Sequence, residues 1–313
     1  MNNATFLLTA KLRKTVIFLM ATLLVLIILL PVHGQNRKKD TAIYARQNLF
    51  AWSIVPFDVK KRNPTQRAAM LQKMGITRLA YDWRQEHVAT FDEELKTLKK
   101  NNIKLQAFWL PTGSDPANDK NVQAVFALLK RHQVKTQLWC SLGDGKNFPE
   151  MSQEEKVHYM ARIIGIIAKQ AAEIGCTVGL YNHSGWFGEP ENQLAIIEYL
   201  KMPNVGMVYN FNHAEAHVAR FAEFFPKIVP HLLALNLSGI QTGNPVKIVP
   251  VGQGNAELEM MRVVKASKYR GPVGIINEYT DPDAEVGLQM NLTGLKKILK
   301  SLGDTVALKT YLN

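Results

Sequence analysis

The sequence predicts an α/β protein formed by one (β/α)8 domain, the TIM-barrel architecture. Eight short apolar runs, rich in β-branched and aromatic residues, alternate with stretches of helical periodicity. Each apolar run is nearly continuous, as expected for parallel strands that are buried on both faces. A doubly wound open sheet is the alternative, but that fold usually carries a glycine-rich phosphate loop after its first strand, and none follows the first run here.

The apolar runs define the predicted strands, and capping signals define three of the helices between them. The strands cover residues 49–54, 76–81, 103–110, 136–142, 177–182, 205–210, 232–239 and 271–277. The three helices cover residues 64–74, 153–174 and 281–302. Asn63 and Pro64 are typical of a helix start, and Ser152 with Glu155 forms a capping box. A glycine follows each of the three helices and predicts its end.

Residues 1–34 are predicted to be a targeting segment that precedes the barrel. Three basic residues come before an apolar run at 15–30, and Gly34 supplies a small residue at a plausible cleavage point. A retained membrane anchor is the competing interpretation, although a typical span needs about 20 residues. Both interpretations predict an exported protein, either periplasmic or anchored facing the periplasm. A linker is then expected at 35–48 and the barrel at 49–313.

Charge and cysteine content restrict the possible partners. The formal net charge is +12, but the basic residues are scattered over helices and form no arginine-rich block with aromatic residues. We therefore expect no nucleic-acid partner, and membrane contact only through residues 15–30 if they are retained. Cys140 and Cys176 are expected at opposite ends of neighbouring strands. Since bridged Cα atoms lie within about 7 Å, both are predicted to be free thiols.

Polar and aromatic residues gather where the predicted strands end, which is where (β/α)8 enzymes place their active sites. All five tryptophans lie in or just after the first five strands. Indole faces stack on sugar rings, while carboxylates, amides and imidazoles bind hydroxyl groups, so the predicted ligand is a small carbohydrate. Trp52 and Trp139 are equally compatible with a core position. The predicted substrate-binding residues are Asp82, Trp83, Trp109, Tyr181, Trp186, Asn210 and Asn236.

Four of these strand-end residues are candidates for proton transfer. They are His183, Glu189, His213 and Glu278. Imidazole titrates near neutral pH, and a glutamate can serve as the second proton carrier. Structural alternatives remain open: a hydrogen bond to a neighbouring strand for His183, and a helix N-terminal carboxylate for Glu189. Asp82 with Arg84 is also compatible with an ion pair that only shapes the rim.

Three segments of the chain, two of them at strand ends and one before the last pair of helices, resemble the xylose-isomerase-like TIM-barrel superfamily. They are VGMVYNFNHAEAH at 205–217, VPVGQGNAEL at 249–258 and GPVGIINEYTDPDAE at 271–285. The superfamily contains sugar-phosphate isomerases and epimerases, and an AP-endonuclease branch. The resemblance implies a substrate at the carboxyl-terminal rim and one divalent metal held by Glu, Asp, His and Glu from the fifth to eighth strands.

This sequence departs from the implied metal site at every position. Tyr181, Asn210, Asn236 and Ile276 stand where those four ligands would be, and Glu278 follows two residues later. A phenol and neutral amides are weak ligands for a hard dication, so neither a metal nor another cofactor is predicted. A divalent metal relocated to His183, Glu189, His213 and His217 remains the alternative.

These observations predict an exported isomerase- or epimerase-like enzyme that transfers a proton next to the carbonyl of a non-phosphorylated sugar. A lyase or hydratase acting on keto-sugars would begin with the same proton removal and remains an alternative. A non-catalytic carbohydrate-binding barrel is the other alternative. The missing metal ligands and the predicted export both disfavour a DNA-repair nuclease.

Overall fold

A computed structural model describes residues 42–312 with the exception of 146, 184 and 279–282. The predicted targeting segment at 1–34 and the first half of the linker at 35–48 therefore lie outside the described residues. So do Asp281 and Pro282, the predicted start of the last long helix. Among the described residues, no helix is long and apolar enough to cross a membrane.

The eight predicted barrel strands are confirmed, and each lies within its predicted range. The barrel strands are Leu49–Trp52 (β1), Arg78–Tyr81 (β2), Lys104–Trp109 (β3), Gln137–Cys140 (β4), Thr177–Tyr181 (β5), Val205–Asn210 (β6), Leu232–Leu237 (β7) and Val273–Ile276 (β10). They form a closed parallel barrel in the order β1-β10-β7-β6-β5-β4-β3-β2.

A short antiparallel hairpin, which the sequence did not predict, follows the seventh barrel strand. Its strands are Gly239–Gln241 (β8) and Lys247–Val249 (β9). The predicted seventh strand included Gly239, but the structure ends β7 at Leu237 and uses Gly239 to start the hairpin. Three-residue strands are too short to show a periodic pattern, so the sequence alone does not separate the hairpin from the apolar run before it.

Helices cover the outside of the barrel, and two of the three predicted helices have their expected caps. Asn63 and Gln66 form a capping box at the first helix, and Ser152 and Glu155 form another at the fourth. The described part of the last long helix begins after Asp283, which caps it. The helices are Pro64–Lys73 (α1), Phe91–Lys100 (α2), Lys120–Arg131 (α3), Gln153–Glu173 (α4), Pro190–Leu200 (α5), Phe221–Ile228 (α6), Glu257–Ala266 (α7), Ala284–Ser301 (α8) and Thr305–Lys309 (α9).

Large aromatic side chains fill the inside of the barrel. Trp52 and Trp139 meet edge to face with their ring centroids 5.0 Å apart, and Phe50 lies 5.7 Å from Trp139. Gly179 is needed opposite this cluster, because a Cβ there would come within 2.9 Å of the Trp139 ring. Trp139 is thus a core residue, while Trp52 is the last residue of β1 and lies at the carboxyl-terminal mouth.

Both cysteines are free thiols, as predicted, and the structure buries both. Burial raises the pKa of the Cys140 thiol to about 12, and it raises the pKa of Cys176 as well. Since the thiolate is the reactive form, these two thiols are chemically inert parts of the core.

The VGQG segment, a main element of the family resemblance, forms a turn held by one buried carboxylate. Glu257 is 1% exposed and accepts hydrogen bonds from the backbone N–H groups of Ile240, Gly252 and Gly254 at 2.9–3.2 Å. Gly252 has a φ of 81°, a conformation that favours glycine. The turn therefore fastens the hairpin to the start of α7, and its role is structural.

Replacing Glu257 with alanine should destabilise the protein strongly. The change leaves the buried N–H group of Ile240 and the partly buried N–H groups of Gly252 and Gly254 without this acceptor, and an unpaired buried group costs about 1–3 kcal/mol. We expect the free energy of unfolding to fall by at least about 3 kcal/mol in urea denaturation. Glu259→Ala, on the same helix but with a side chain that is 71% exposed, should change it by less than about 0.5 kcal/mol. Equal losses in the two variants would contradict this assignment.

Candidate active site

A small cavity opens at the carboxyl-terminal end of the barrel. Its volume of about 200 Å³ is below the roughly 300–1,000 Å³ typical of drug-sized ligand sites, so it suits a small molecule. The cavity combines aromatic, acidic, basic and imidazole groups. Its lining residues are Trp52, Phe57, Asp82, Arg84, Trp109, Tyr181, His183, His213 and Glu278.

A larger groove of about 870 Å³ lies against α8 on the outside of the barrel. Its charged groups largely satisfy one another: Lys73 pairs with Glu285, and Lys60 with Asp283, both at 2.6 Å. The small cavity is the better candidate for chemistry, because polar groups from several different strand ends converge there without such pairing.

Aromatic side chains form one wall of the cavity. The ring centroids of Trp52 and Trp109 are 6.0 Å apart, and Trp109 meets Tyr181 edge to face at 5.2 Å. Phe57, on the loop after β1, adds another aromatic group to the lining. These faces can stack on the C–H faces of a sugar ring.

Two carboxyl groups, from Asp82 after β2 and Glu278 after β10, face the cavity on either side of β1. Burial raises the pKa of Asp82 to about 7, with Arg84 lowering it and Glu278 raising it. Burial also raises the pKa of Glu278, partly offset by the hydrogen bond from Ser53. Glu278 accepts from the Ser53 hydroxyl at 2.5 Å and from Asn212 Nδ2 at 2.9 Å, whereas Asp82 Oδ1 has no partner among the described residues. Asp82 is thus the carboxyl group that favours the protonated form.

Two imidazoles face these carboxyl groups from the opposite arc of the barrel. His183 follows β5 and His213 follows β6, with ring centroids 4.3 Å apart. Burial, and the neighbouring His183, lower the pKa of His213 to about 4. Burial also lowers the pKa of His183. His213 is therefore neutral at pH 7 and can accept a proton.

Tyr181, the last residue of β5, lines the cavity and is held by two neighbours. Its phenol oxygen accepts a hydrogen bond from Trp52 Nε1 at 2.9 Å and another from Asn210 Nδ2 at 2.5 Å. Burial, followed by the charge of Glu278, raises the pKa of Tyr181 well above its usual value, so the phenol keeps its proton. The prediction that Asn210 binds substrate directly is corrected, because Asn210 is fully buried and contacts Tyr181 instead.

Trp83 and Trp186, predicted to line the cleft together with Trp109, lie elsewhere. Successive residues of an extended chain point to opposite sides, so with Asp82 facing the cavity, Trp83 faces outward and packs edge to face on Phe91 at 5.2 Å. Trp186 packs on Phe148 at 5.3 Å and donates to Gln153. The prediction of one cleft lined by three tryptophans is therefore wrong for these two.

Glu189 is also placed outside the cavity. It directly precedes α5, and its carboxylate accepts from Arg220 at 2.6 Å and lies 3.3 Å from His217 Nε2. His217 is itself buried, and its Nδ1 lies 3.0 Å from the hydroxyl oxygen of Tyr209. The structure thus gives Glu189 the alternative role, an ion-paired carboxylate at a helix start. It also separates Glu189 and His217 from the His183–His213 pair.

Asn236, another predicted substrate-binding residue, lies inside the barrel and is not among the lining residues. It is fully buried, and a Cβ on Gly274 would come within 2.0 Å of its amide oxygen. Neither amide atom of Asn236 has a hydrogen-bond partner among the described residues.

Three further residues shape the cavity without having been predicted as site residues. Phe57 and Arg84 line it, and Ser53 orients Glu278. Ser53 has a φ of 56°, a conformation that is uncommon outside glycine and frequent at functional sites. The sequence marks Arg84 only as a possible ion-pair partner of Asp82, and no signal in it marks Phe57 or Ser53.

The same fold occurs in solved structures of low sequence identity. IolI protein with a bound zinc atom matches with a TM-score of 0.64 and 14% identity, covering 81% of this chain and 98% of that one. The 3-keto-D-glucoside 4-epimerase YcjR from E. coli gives 0.60 and 13%, covering 78% and 98%. AsbF from Bacillus anthracis, a probable 3-DHS dehydratase involved in petrobactin synthesis, gives 0.59 and 15%, covering 79% and 98%.

The chain has the xylose isomerase-like TIM-barrel fold. No protein-family model matches the sequence, and no curated protein matches it either.

The residues at the metal position implied by this fold do not fit a divalent ion. Tyr181 is a protonated phenol whose oxygen already accepts two N–H groups. Asn210 turns its NH2 group toward Tyr181, because its Oδ1 accepts the backbone N–H of Asn212 at 3.0 Å. Ile276, on β10, supplies no ligand atom. Across the described ranges, no three His, Cys, Asp or Glu side chains are grouped as a metal site, which includes the proposed relocated set.

The protein should therefore be unaffected by chelators. Treatment with EDTA is expected to leave the melting temperature unchanged, because no set of charged ligands among the described residues offsets the dehydration of a dication. Elemental analysis of protein purified without a histidine tag should show well under one zinc or manganese ion per chain. A stoichiometric ion would contradict this expectation.

His213 should titrate far below an ordinary histidine. NMR of the imidazole protons should give a midpoint near 4, because burial and His183 both disfavour the imidazolium form. His183→Ala removes the neighbouring imidazole and should raise this midpoint. A midpoint of about 6.5 in the wild-type protein, the usual value, would contradict the assigned environment.

Proposed function

We propose that this protein is a carbohydrate-modifying enzyme that moves a proton at a carbon next to the carbonyl of a small sugar. The supporting observation is the arrangement of one cavity. Two carboxyl groups lie on one side of it, two imidazoles lie on the opposite side, and aromatic rings form a wall. Titratable groups whose environments push their pKa values in opposite directions are typical of acid–base catalysis. The low-identity structural neighbours include a keto-glucoside epimerase, a D-tagatose 3-epimerase-like protein and an L-ribulose 3-epimerase, which supports this reaction class.

Epimerisation suits the arrangement best, because it requires proton carriers on opposite faces of one carbon. Neutral His213 removes the proton on its face and becomes an imidazolium ion. The Asp82–Glu278 pair, which holds a proton near neutral pH because burial and mutual repulsion raise the pKa of Asp82, returns a proton on the other face. Solvent then takes up the proton from His213, and the exposed His183 beside it is placed to carry that proton outward. Solvent also returns a proton to the carboxyl pair.

The charges of the cavity favour a substrate without phosphate. Arg84 is the one permanently charged cation among the described lining residues, and it faces two carboxyl groups. A phosphorylated sugar would bring further negative charge close to Asp82 and Glu278, which is unfavourable. A non-phosphorylated substrate also agrees with our proposal, based on residues 11–34, that the protein is exported to the periplasm or anchored facing it.

A lyase or hydratase acting on keto-sugars is the second candidate. Elimination begins with the same proton removal, and the raised pKa of Asp82 gives it a proton to donate to a departing hydroxyl group. The match to a probable dehydratase supports keeping this alternative. Its product would be lighter than the substrate by one water molecule.

Deuterium exchange tests the proposal even when the product has not been identified. Free ketoses and keto-glycosides are incubated with the protein in deuterium oxide, and mass spectrometry follows deuterium entering the carbon next to the carbonyl. His213→Ala should lower the rate for one epimer by about 10² or more, since it removes the carrier on one face. Asp82→Asn should do the same for the opposite epimer. Glu189→Gln, a carboxylate change outside the cavity, should leave the rate unchanged.

The pH dependence gives an independent check of the same assignment. The rate requires neutral His213 and a protonated carboxyl group, so kcat/KM should rise near pH 4 and fall near pH 7. Glu278→Gln removes a negative charge beside Asp82 and should shift the upper limb to lower pH. Absence of exchange with every sugar, together with saturable sugar binding, would overturn the proposal in favour of a non-catalytic binding barrel.

A further inference from the structure

The geometry points to the Tyr181 hydroxyl as the hydrogen-bond donor that polarises the carbonyl oxygen of the substrate. This inference rests on the proposed function and extends it, because it assigns the group that stabilises the negative charge formed on the oxygen when the neighbouring carbon loses its proton. Tyr181 occupies the position at which the resemblance implies a metal-binding glutamate. A neutral donor would thus do here what a dication does in a metal-dependent relative.

The direction of the Tyr181 proton follows from its two neighbours. A phenol oxygen accepts at most two hydrogen bonds and donates one. Trp52 Nε1 is a donor only, and it takes one acceptor site at 2.9 Å. Asn210 takes the second at 2.5 Å. Both acceptor sites are therefore filled, and the O–H bond must point away from Trp52 and Asn210.

The identity of the Asn210 donor is fixed by the backbone. An amide can be placed in either orientation unless its hydrogen bonds distinguish oxygen from nitrogen. Here the backbone N–H of Asn212 donates to Asn210 Oδ1 at 3.0 Å. Since an N–H group cannot accept, this bond identifies Oδ1, and the NH2 group is left to face Tyr181.

The remaining Tyr181 proton has no protein acceptor among the described residues, and Tyr181 lines the cavity. Glu278 accepts hydrogen bonds from Ser53 and Asn212, and among the described residues none joins it to Tyr181. An unpaired donor that is buried at the wall of a cavity is costly unless a ligand pairs with it. A carbonyl oxygen bound between the carboxyl groups and the imidazoles would supply that acceptor.

The proton transfer then balances without a metal or other co-reactant. His213 takes the proton from the carbon, and the electron pair of that C–H bond forms the carbon–carbon double bond of an enolate. The carbonyl π electrons move to oxygen, which accepts the Tyr181 hydrogen bond without taking its proton. When the opposite carboxyl group returns a proton to carbon, the carbonyl re-forms and the hydrogen bond weakens. The donor is preoriented, so it needs no rearrangement during the reaction.

Two measurements on Tyr181→Phe test this assignment, with Tyr209→Phe as the matched control. Tyr209 is also a buried phenol, but it contacts His217 outside the cavity. The first measurement is isotope-edited infrared spectroscopy of dihydroxyacetone labelled with carbon-13 at the carbonyl. The carbonyl stretch of the bound probe should lie at lower frequency with wild-type protein and Tyr209→Phe than with Tyr181→Phe. The second is deuterium exchange, which should fall by about 10²–10³ in Tyr181→Phe only.

The outcomes separate this inference from the proposed function. A Tyr181-dependent infrared shift without deuterium exchange on any sugar would support Tyr181 as the hydrogen-bond donor and overturn the proposed enzymatic function. Exchange that is equally fast in wild-type protein and Tyr181→Phe would overturn the role of Tyr181 as donor while the proposed enzymatic function stands. A probe frequency that is the same in both proteins, or no shift with wild-type protein, also overturns the donor.

A second variant covers the case in which Tyr181→Phe does not fold. Trp52→Phe removes the indole N–H and leaves one acceptor site of Tyr181 open, so the hydroxyl can turn away from the substrate. The infrared shift should then shrink while the phenol is still present. An unchanged shift in a folded Trp52→Phe protein would overturn the proposed orientation.

Discussion

The hydrogen bond from Trp52 to Tyr181 is the interaction on which the rest of the candidate site depends. It joins β1 to β5, strands on opposite sides of the barrel, through the interior. Asn210 extends the connection to β6. These contacts lie above a packed layer formed by Trp139 and Phe50, which leaves little freedom for the rings to tilt. The cavity wall therefore continues the barrel core, and the indole N–H of Trp52 and the hydroxyl of Tyr181 are its polar groups.

This arrangement shows how the barrel can hold a polar cavity without charged ligands at the metal position that the sequence resemblance implies. A dication would neutralise carboxylates that surround it. Without a dication, buried carboxylates must be protonated or stabilised by hydrogen bonds. Here burial raises the pKa of Asp82, and Ser53 and Asn212 provide hydrogen bonds to Glu278. The two carboxyl groups thereby differ in environment although they face one cavity, and this difference gives them different proton occupancy.

The sequence predicted the barrel well because its strands are continuous apolar runs and its helices carry local capping signals. The eight strands and the caps at Asn63 and Ser152 depend on short-range chemistry that one sequence displays. The site was predicted less completely. Alternation along the chain could have shown that Asp82 and Trp83 face opposite sides. By contrast, the ion pair of Glu189 with Arg220 and the hydrogen bond of Ser53 to Glu278 join residues far apart in sequence, which no local pattern reveals.

Phe57, which lines the cavity, is held by contacts that connect the loop after β1 to the eighth barrel strand and the helix beyond it. Its carbonyl accepts from Asn277 Nδ2, next to Glu278, while Asp58 accepts from the backbone of Ala284 and pairs with Arg62 at 2.7 Å. Arg62 also reaches Asp283 at 2.6 Å. The loop that carries Phe57 is thus fastened by ion pairs, and dissolved salt screens them much less than exposed pairs, because the Arg62 and Asp58 side chains are only 9% and 1% exposed. We therefore expect the position of this loop to change little with the ionic strength of the surrounding medium.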